Sequence, residues 1–282
     1  MTIETSWTTV IRPKNKWFSI DLAELWRYRD LVMLFVNRDF VAQYKQTILG
    51  PIWFLLQPLF STIIFTVIFS NVAHISTDNI PPFLFYMAGN VVWGYFSACF
   101  NATSNTFVNN AAIFGKVYFP RLVMPVSTVI TRFIMFLIQF GLFAFFYIYF
   151  FVKGAPLHPN IWILALPVML LQMALMGLGF GVLVSAMTTK YRDLTFLVSF
   201  GIQLWMYATP VVYPLSQVPD KYKLLMNLNP MTAVVELFRY AFLGNGTISM
   251  QYIGISWAVT LIVLFSGILL FSRVEKTFMD TV

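Results

Sequence analysis

Leu122–Val152 reads LVMPVSTVITRFIMFLIQFGLFAFFYIYFFV, a run of 31 residues in which Arg132 is the only charge. At about 1.5 Å per residue a helix of that length outreaches a hydrocarbon core of about 30 Å, so the run is predicted to cross a membrane while tilting or projecting from it. Pro125 falls in the first turn, where its missing N–H costs little. Arg132 then lies toward the near interface. It either snorkels or pairs inside a helix bundle, or it marks a substrate path.

Working outward from this run, five more stretches have the roughly 20 apolar residues that a crossing requires. They are Ile52–Val72, Phe83–Asn109, Ile161–Met187, Leu194–Val212 and Tyr252–Phe271. The whole composition agrees: 59% of residues are hydrophobic and only 10% are charged, where soluble domains carry about 25% charged residues. The expected fold is all-α, a polytopic membrane protein with six transmembrane helices. Its net charge of +7 does not point to nucleic acid, because the basic residues flank the apolar runs. With both termini in the cytoplasm, Arg12, Lys14, Lys16, Arg27, Arg29, Arg38, Lys45, Lys116, Arg121, Lys190, Arg192, Arg273 and Lys276 lie inside, against Lys153, Lys221, Lys223 and Arg239 outside. That asymmetry sets the orientation. The first apolar run follows a charged stretch of fifty residues, unlike a cleaved signal peptide, and the N-terminus is expected to be retained.

The chain divides into a cytoplasmic arm and amphipathic interface helix (1–50), a transmembrane domain (51–272) and a cytoplasmic tail (273–282). Asp21 and Glu24 form a capping box for a helix whose apolar arc holds Leu22, Leu25, Trp26, Val32, Met33 and Val36, with Phe35 outside it. This helix is expected along the membrane interface, the alternative being a helix packed on the protein's own loops. Between the second and third spans, Asn110–Pro125 (NAAIFGKVYFPRLVMP) is too polar for lipid and too short for a domain. It is a loop, 110–121, suited to docking on a soluble partner. Between the fifth and sixth spans, Pro210, Pro214 and Pro219 punctuate the chain, and two short apolar pieces follow within 213–250. The second takes Asn229 as cap, Pro230 at its first position and Gly244 as stop, giving about 14 residues or roughly 21 Å of helix. It must form a re-entrant or surface hairpin on the outer side. Glu236 and Arg239 are placed to pair on one face of it.

Ser97, Asn101, Asn105 and Asn109 recur at intervals of four in the second span. Such a stripe either bonds to neighbouring helices or lines a hydrated path. Tyr95, Trp205 and Tyr207 are deep aromatics that either pack or stack on sugar rings. Gly177, Gly181 and Ser185 make a small-residue ridge that fits a subunit interface or internal packing equally. Cys99 is the single cysteine and forms no intrachain disulfide. His74 and His158 stand alone, so no metal set is expected. No GxxxxGK[ST] occurs, so this chain cannot hold ATP phosphates by that route. The chain is expected not to be an enzyme, and work against a gradient needs a partner or an ion.

YKQTILGPIWFLLQPL (Tyr44–Leu59), FPRLVMP (Phe119–Pro125), KYRDL (Lys190–Leu194), TPVVYPLSQVP (Thr209–Pro219) and NPMTAVVELFRYAFLG (Asn229–Gly244) together resemble the permease subunits of type II ABC exporters that move polysaccharides. Among these the resemblance is nearest to the O-antigen exporter permeases, with teichoic acid and capsular relatives close by. The resemblance implies a homodimer in the bacterial inner membrane, bound to two copies of a separate ATPase that holds ATP and Mg. It implies a cytoplasmic coupling helix in which Gly115, Lys116, Val117, Tyr118, Phe119, Pro120 and Arg121 press on the ATPase, with Lys190, Arg192 and Asp193 as a second contact. Pro210, Tyr213, Pro214, Pro230, Glu236 and Arg239 would belong to an outer gate. Ser97, Asn101, Asn105, Tyr95, Trp205 and Tyr207 are candidates for the path of a polyprenyl-pyrophosphate-linked glycan, and Arg38, Lys45 and Arg132 for its pyrophosphate. The rival readings are a permease for a small drug or lipid, an integral membrane enzyme on a lipid-linked sugar, and a passive channel.

Overall fold

The computed structural model describes residues 22–45, 47–114, 116–117, 119–188 and 193–277. The N-terminal arm, the Asp21 cap, Gly115, Tyr118, Lys190 and Arg192 lie outside them. Among the described residues every regular element is helical. The order is α1 (Leu22–Arg27), α2 (Arg29–Tyr44), α3 (Trp53–Phe65), α4 (Pro82–Ser104), α5 (Thr106–Phe114), α6 (Val123–Val152), α7 (Leu166–Thr188), α8 (Leu194–Tyr207), α9 (Asp220–Leu228), α10 (Pro230–Leu243) and α11 (Met250–Thr277). A 3-10 turn leads into α3, and its far end widens into a π turn over Thr66–Val72.

Among the described residues five stretches are long and apolar enough to cross a membrane: Gly50–Val72, Pro82–Ser104, Val123–Val152, Ile161–Thr188 and Met250–Phe271. The fifth stretch expected from sequence, Leu194–Val212, behaves differently. Its helix α8 holds 14 residues, about 21 Å against a core of about 30 Å. Thr209 and Pro210 turn the chain out of helical conformation, since a proline bars the α region to the residue before it. The second stretch is also shorter than expected. Ser104 Oγ and Asn105 Nδ2 both donate to the Asn101 carbonyl, and this local competition for a backbone acceptor accompanies the break between α4 and α5.

Helix α4 is the centre of the bundle. Of its apolar window 72% is buried, against 6% for Gly50–Val72 and 17% for both α6 and α11, so the others wrap α4 and present their remaining apolar faces outward. It packs on α3, α6, α7, α8 and α10. The α4–α7 contact is close because α7 supplies glycines: a Cβ at Gly181 would lie 1.6 Å from Thr103 Oγ1, and one at Gly177 2.6 Å from the Cys99 side chain. Thr103 Oγ1 donates to the Gly177 carbonyl at 3.0 Å. The ridge of small residues thus serves internal packing. The next glycine on the other face, Gly179, meets Leu264 of α11, and Gly267 of α11 sits against the Gly179 carbonyl.

The buried face of α2 keeps Val32 and Val36 of the arc read from the sequence but departs from the rest of it, and Trp26 falls in the separate α1. Val32, Phe35 and Val36 are buried while Trp26 and Met33 are exposed. Phe35 turns inward because the 110–121 loop supplies an aromatic partner, with the Phe119 ring 5.7 Å away. The helix therefore docks on the protein through α6 and this loop, and leaves Trp26, Met33 and Leu34 for another surface.

Gly181→Ala should overpack the α4–α7 seam, costing about 1–3 kcal/mol and lowering the thermal unfolding midpoint of the detergent-purified protein. Gly141→Ala, where a Cβ meets nothing within 4 Å in the interior of α6, should leave that midpoint unchanged or raise it slightly.

Candidate functional site

Polar groups gather at both ends of α4. The first gathering lies beside α5 and the end of α2, hereafter the loop end. Here a cavity of about 320 Å³ opens between α2, α4–α5 and α6, and its walls include Arg38, Asp39, Gln43, Asn109, Asn110 and Arg132. Arg38 is committed: it pairs with Asp39 at 2.7 Å, donates to Asn110 Oδ1 at 3.3 Å and lies 4.7 Å above the Phe35 ring. Arg132 is much less so. Its Nη1 reaches Gln43 Oε1 at 3.4 Å and Met135 Sδ at 3.5 Å, and its Nε is buried without a hydrogen-bond partner. With Asp39 neutralising Arg38, the cavity carries about one uncompensated positive charge, held on a guanidinium with unmet donors. An anion with several acceptor oxygens satisfies both deficits. Of the three basic residues named for an anion, Arg38 and Arg132 share this cavity. Lys45 follows the last turn of α2 and is exposed outside it. Gln43 was missed, and only its position one turn beyond Asp39 hinted at it.

Among the described residues of the neighbouring loop between α5 and α6, Phe119 is the buried one. It stacks on Phe114 at 5.6 Å and meets Phe35 at 5.7 Å. Arg121 lies 5.8 Å from the Phe114 ring and Pro120 is partly covered. Lys116 and Val117 are exposed, as is Asp193 on the second loop. An aromatic peg thus joins the loop to α2 and α5, with a short exposed tip beyond it.

At the opposite end, near α9 and α10, the organising group is Arg239. It is 2% exposed. Its Nη1 donates to the Pro210 and Tyr213 carbonyls, its Nη2 to the Val211 carbonyl at 2.6 Å, and its plane lies 3.7 Å over the Phe85 ring of α4. Glu236, one turn away, pairs with it at 3.7 Å and accepts from the Thr247 N–H. Burial pushes the Glu236 carboxyl up, and the Arg239 charge and the Thr247 N–H pull it back down. Gly89 makes room for the fold-over, since a Cβ there would sit 2.7 Å from the Val211 carbonyl. Glu236 and Arg239, expected from their spacing to pair on one helix face, do so and are buried, because the proline-rich turn closes over them.

Asn229 ties the same turn to α10. Its Oδ1 caps α10 at Met231 N and accepts from Trp205 Nε1 at 3.0 Å, while its Nδ2 donates to the Ala208 carbonyl and Thr209 Oγ1. Pro230 follows as the first residue of α10, and Gly244 ends that helix at φ 80°. Tyr213 reaches back to the Tyr207 carbonyl, and Pro214 is buried. So Pro210, Tyr213, Pro214, Pro230, Glu236 and Arg239 converge on one network.

The residues named for a path are dispersed. Tyr95 is buried against Phe133 and Phe136. Trp205 packs among Trp93, Phe96, Phe100 and Phe180. Tyr207 is 46% exposed. Ser97 bonds to its own helix at Gly94, Asn105 bonds back to Asn101, and Asn101 meets Ser199 of α8 at 3.5 Å. Among the described residues no three His, Cys, Asp or Glu side chains form a metal set.

These features define a multi-pass helical membrane protein with a charged polar chamber at each end of a central helix and an aromatic-anchored loop beside one of them. The chain belongs to the ABC-2 type transporter family, whose profile matches residues 30–243. It is similar to the O-antigen export system permease protein RfbA of Klebsiella pneumoniae, with 28% identity over 89% of this chain and 94% of the relative. RfbA of Myxococcus xanthus is 27% identical over 92% of this chain and 98% of its own. The polysialic acid transport protein KpsM of Escherichia coli is 23% identical over 86% and 93%.

Arg239→Ala should leave Glu236 unpaired and three carbonyls without their donor, at a cost of about 3–5 kcal/mol. Thiol labelling at an introduced Val212→Cys, a position buried in the closed turn, should then accelerate, against a low background because Cys99, the one native cysteine, is buried. Arg239→Lys, which keeps the charge and loses the fork, should fall between the two.

Proposed function

We propose that this chain is the permease subunit of an ABC exporter that carries a polyprenyl-pyrophosphate-linked, O-antigen-like polysaccharide across the bacterial inner membrane. The observation that carries the reading is the likeness to two O-antigen export permeases over 89% and 92% of this chain and 94% and 98% of theirs. The likeness to KpsM favours capsule polysaccharide as the second reading. The chain acts as a transport component and leaves ATP and Mg to a separate ATPase.

In this account the short α8 and the turn after it together make a sixth crossing, which returns both termini to the cytoplasm as the charge asymmetry requires. The loop end faces the cytoplasm. Two copies of the chain form the path and two ATPase subunits engage the tips at Lys116–Arg121 and around Asp193. Phe119 transmits their movement to α2 and α5, and hence to the walls of the loop-end cavity. Arg132 and Arg38 receive the pyrophosphate there, while Ser97, Asn101 and Asn105 offer hydroxyl and amide groups to the glycan that follows. The network around Arg239 is the gate at the periplasmic end. A nucleotide opens such a gate only through its differential affinity for the two states.

Changing Lys116 and Arg121 together to glutamate should abolish co-purification of the ATPase, or leave it bound with ATP hydrolysis that lipid-linked glycan no longer stimulates. Unchanged stimulation would remove the loop from the coupling path. Arg132→Gln should raise the lipid-linked glycan concentration that half-saturates ATPase stimulation by about tenfold, the equivalent of about 1.4 kcal/mol, with Arg132→Lys closer to wild type. Lys45→Gln should have the smaller effect, because Lys45 lies outside the cavity.

A further inference from the structure

A second cavity lies at the α10 end, beside the Glu236–Arg239 pair. It encloses about 550 Å³, within the range of small-molecule sites. Four separate segments meet around it: the turn before α4 at Asp78, the loop after α6 at His158, the proline-rich segment at Ser216, and the loop after α10 at Asn245. The meeting is built by hydrogen bonds. Ser216 Oγ donates to both Asp78 carboxylate oxygens at 3.0 and 3.1 Å, Asn245 Nδ2 donates to the Asp78 carbonyl, and Thr247 N donates to Glu236.

We propose that this cavity binds one neutral, hydroxyl-rich sugar ring. The charge count decides against anions. Two carboxylates, Asp78 and Glu236, face one guanidinium, and Arg239 already spends its charge on Glu236 and its terminal nitrogens on three backbone carbonyls. A phosphate or a uronate would meet uncompensated negative charge. The count decides against a divalent cation as well, because Glu236 is already paired and Arg239 repels a second cation. What remains suits a polyol. Asp78 accepts hydrogen bonds, the Asn245 and Asn79 amides donate and accept, and the Ser216 oxygen, whose one O–H is directed at Asp78, accepts. Pro156 and Leu215 add apolar edges for the C–H face of a ring.

The proposal rests on the export reading only for the source of the sugar, a unit of the chain emerging at this end. Because the Asp78–Ser216 bonds bridge the turn before α4 and the proline-rich segment that Arg239 holds closed, a ring inserted between them competes with that closure.

Saturation-transfer NMR on the full chain in lipid nanodiscs, without ATPase or nucleotide, tests the site. The probes are the methyl glycosides of glucose, galactose, mannose and N-acetylglucosamine, with glucuronate and methyl phosphate, whose C–H protons report transfer, as charged controls. Transfer to at least one neutral glycoside, absent in Ser216→Trp, which fills the mouth, and about fivefold weaker in affinity for Asp78→Asn, is the expected result. Asp78→Asn keeps the side-chain shape and suits the local φ of 52°, so it reads the site even where the tryptophan variant folds poorly. Transfer to none of the four glycosides overturns the proposal, as does undiminished transfer in both variants or a preference for glucuronate or methyl phosphate. Sugar binding in a protein that fails to export glycan would overturn the export reading and leave this site standing.

Discussion

The seam between α4 and α7 is where the architecture is decided. Lipid tails are as apolar as leucine, so nothing like the hydrophobic effect presses two helices together within a membrane; close van der Waals contact must do it. Gly177 and Gly181 let α4 approach until Thr103 bonds the α7 backbone. With α7 on one side, α4 is wrapped on its others by α3, α6, α8 and α10. Everything functional is then referred to α4. Its C-terminal turns lead to α5 and the Arg132 cavity, and its N-terminal turns offer Phe85 and Gly89 to the arginine that holds the proline-rich segment.

The two ends use different physics. At the loop end the joint is aromatic, with Phe35, Phe107, Phe114, Phe119 and Phe271 packed as one cluster. Aromatic contacts tolerate small rotations, which suits the coupling role proposed for this loop. The joint at the other end is polar and buried. A guanidinium held at its terminal nitrogens by three carbonyls and beside a carboxylate keeps one arrangement, and breaking part of it leaves a buried charge in a poor solvent. Such an element favours two discrete states over a continuous range, which suits the gate proposed for it.

Much of this was legible from residue order. Asn229, Pro230 and Gly244 delimited α10, because capping, proline at the first turn and a left-handed glycine are local chemistry. The i, i+3 spacing of Glu236 and Arg239 gave their pairing for the same reason. What sequence could not supply was contact over long separations. The burial of that pair depends on Pro210 and Val211, which return from nearly thirty residues upstream. The partial pairing of Arg132 depends on Gln43, 89 residues away. Phe35 lay outside the apolar arc of its own helix and became core only because Phe119 arrives from the loop. Lys45 looked equivalent to Arg38 by charge, yet the end of α2 carries it clear of the cavity. Periodicity predicts which face of a helix is apolar and says little about which distant side chain will meet it.

The most direct test of the whole account is transport by the isolated machine. The purified chain, reconstituted in proteoliposomes with its cognate ATPase and loaded with lipid-linked glycan on the ATPase-bearing side, should deliver glycan to the opposite face only when ATP and Mg are supplied. Replacing the ATPase's catalytic base should stop delivery while leaving the complex assembled. Glycan crossing at the same rate without nucleotide, or with this chain alone, would contradict the account and point to a passive channel.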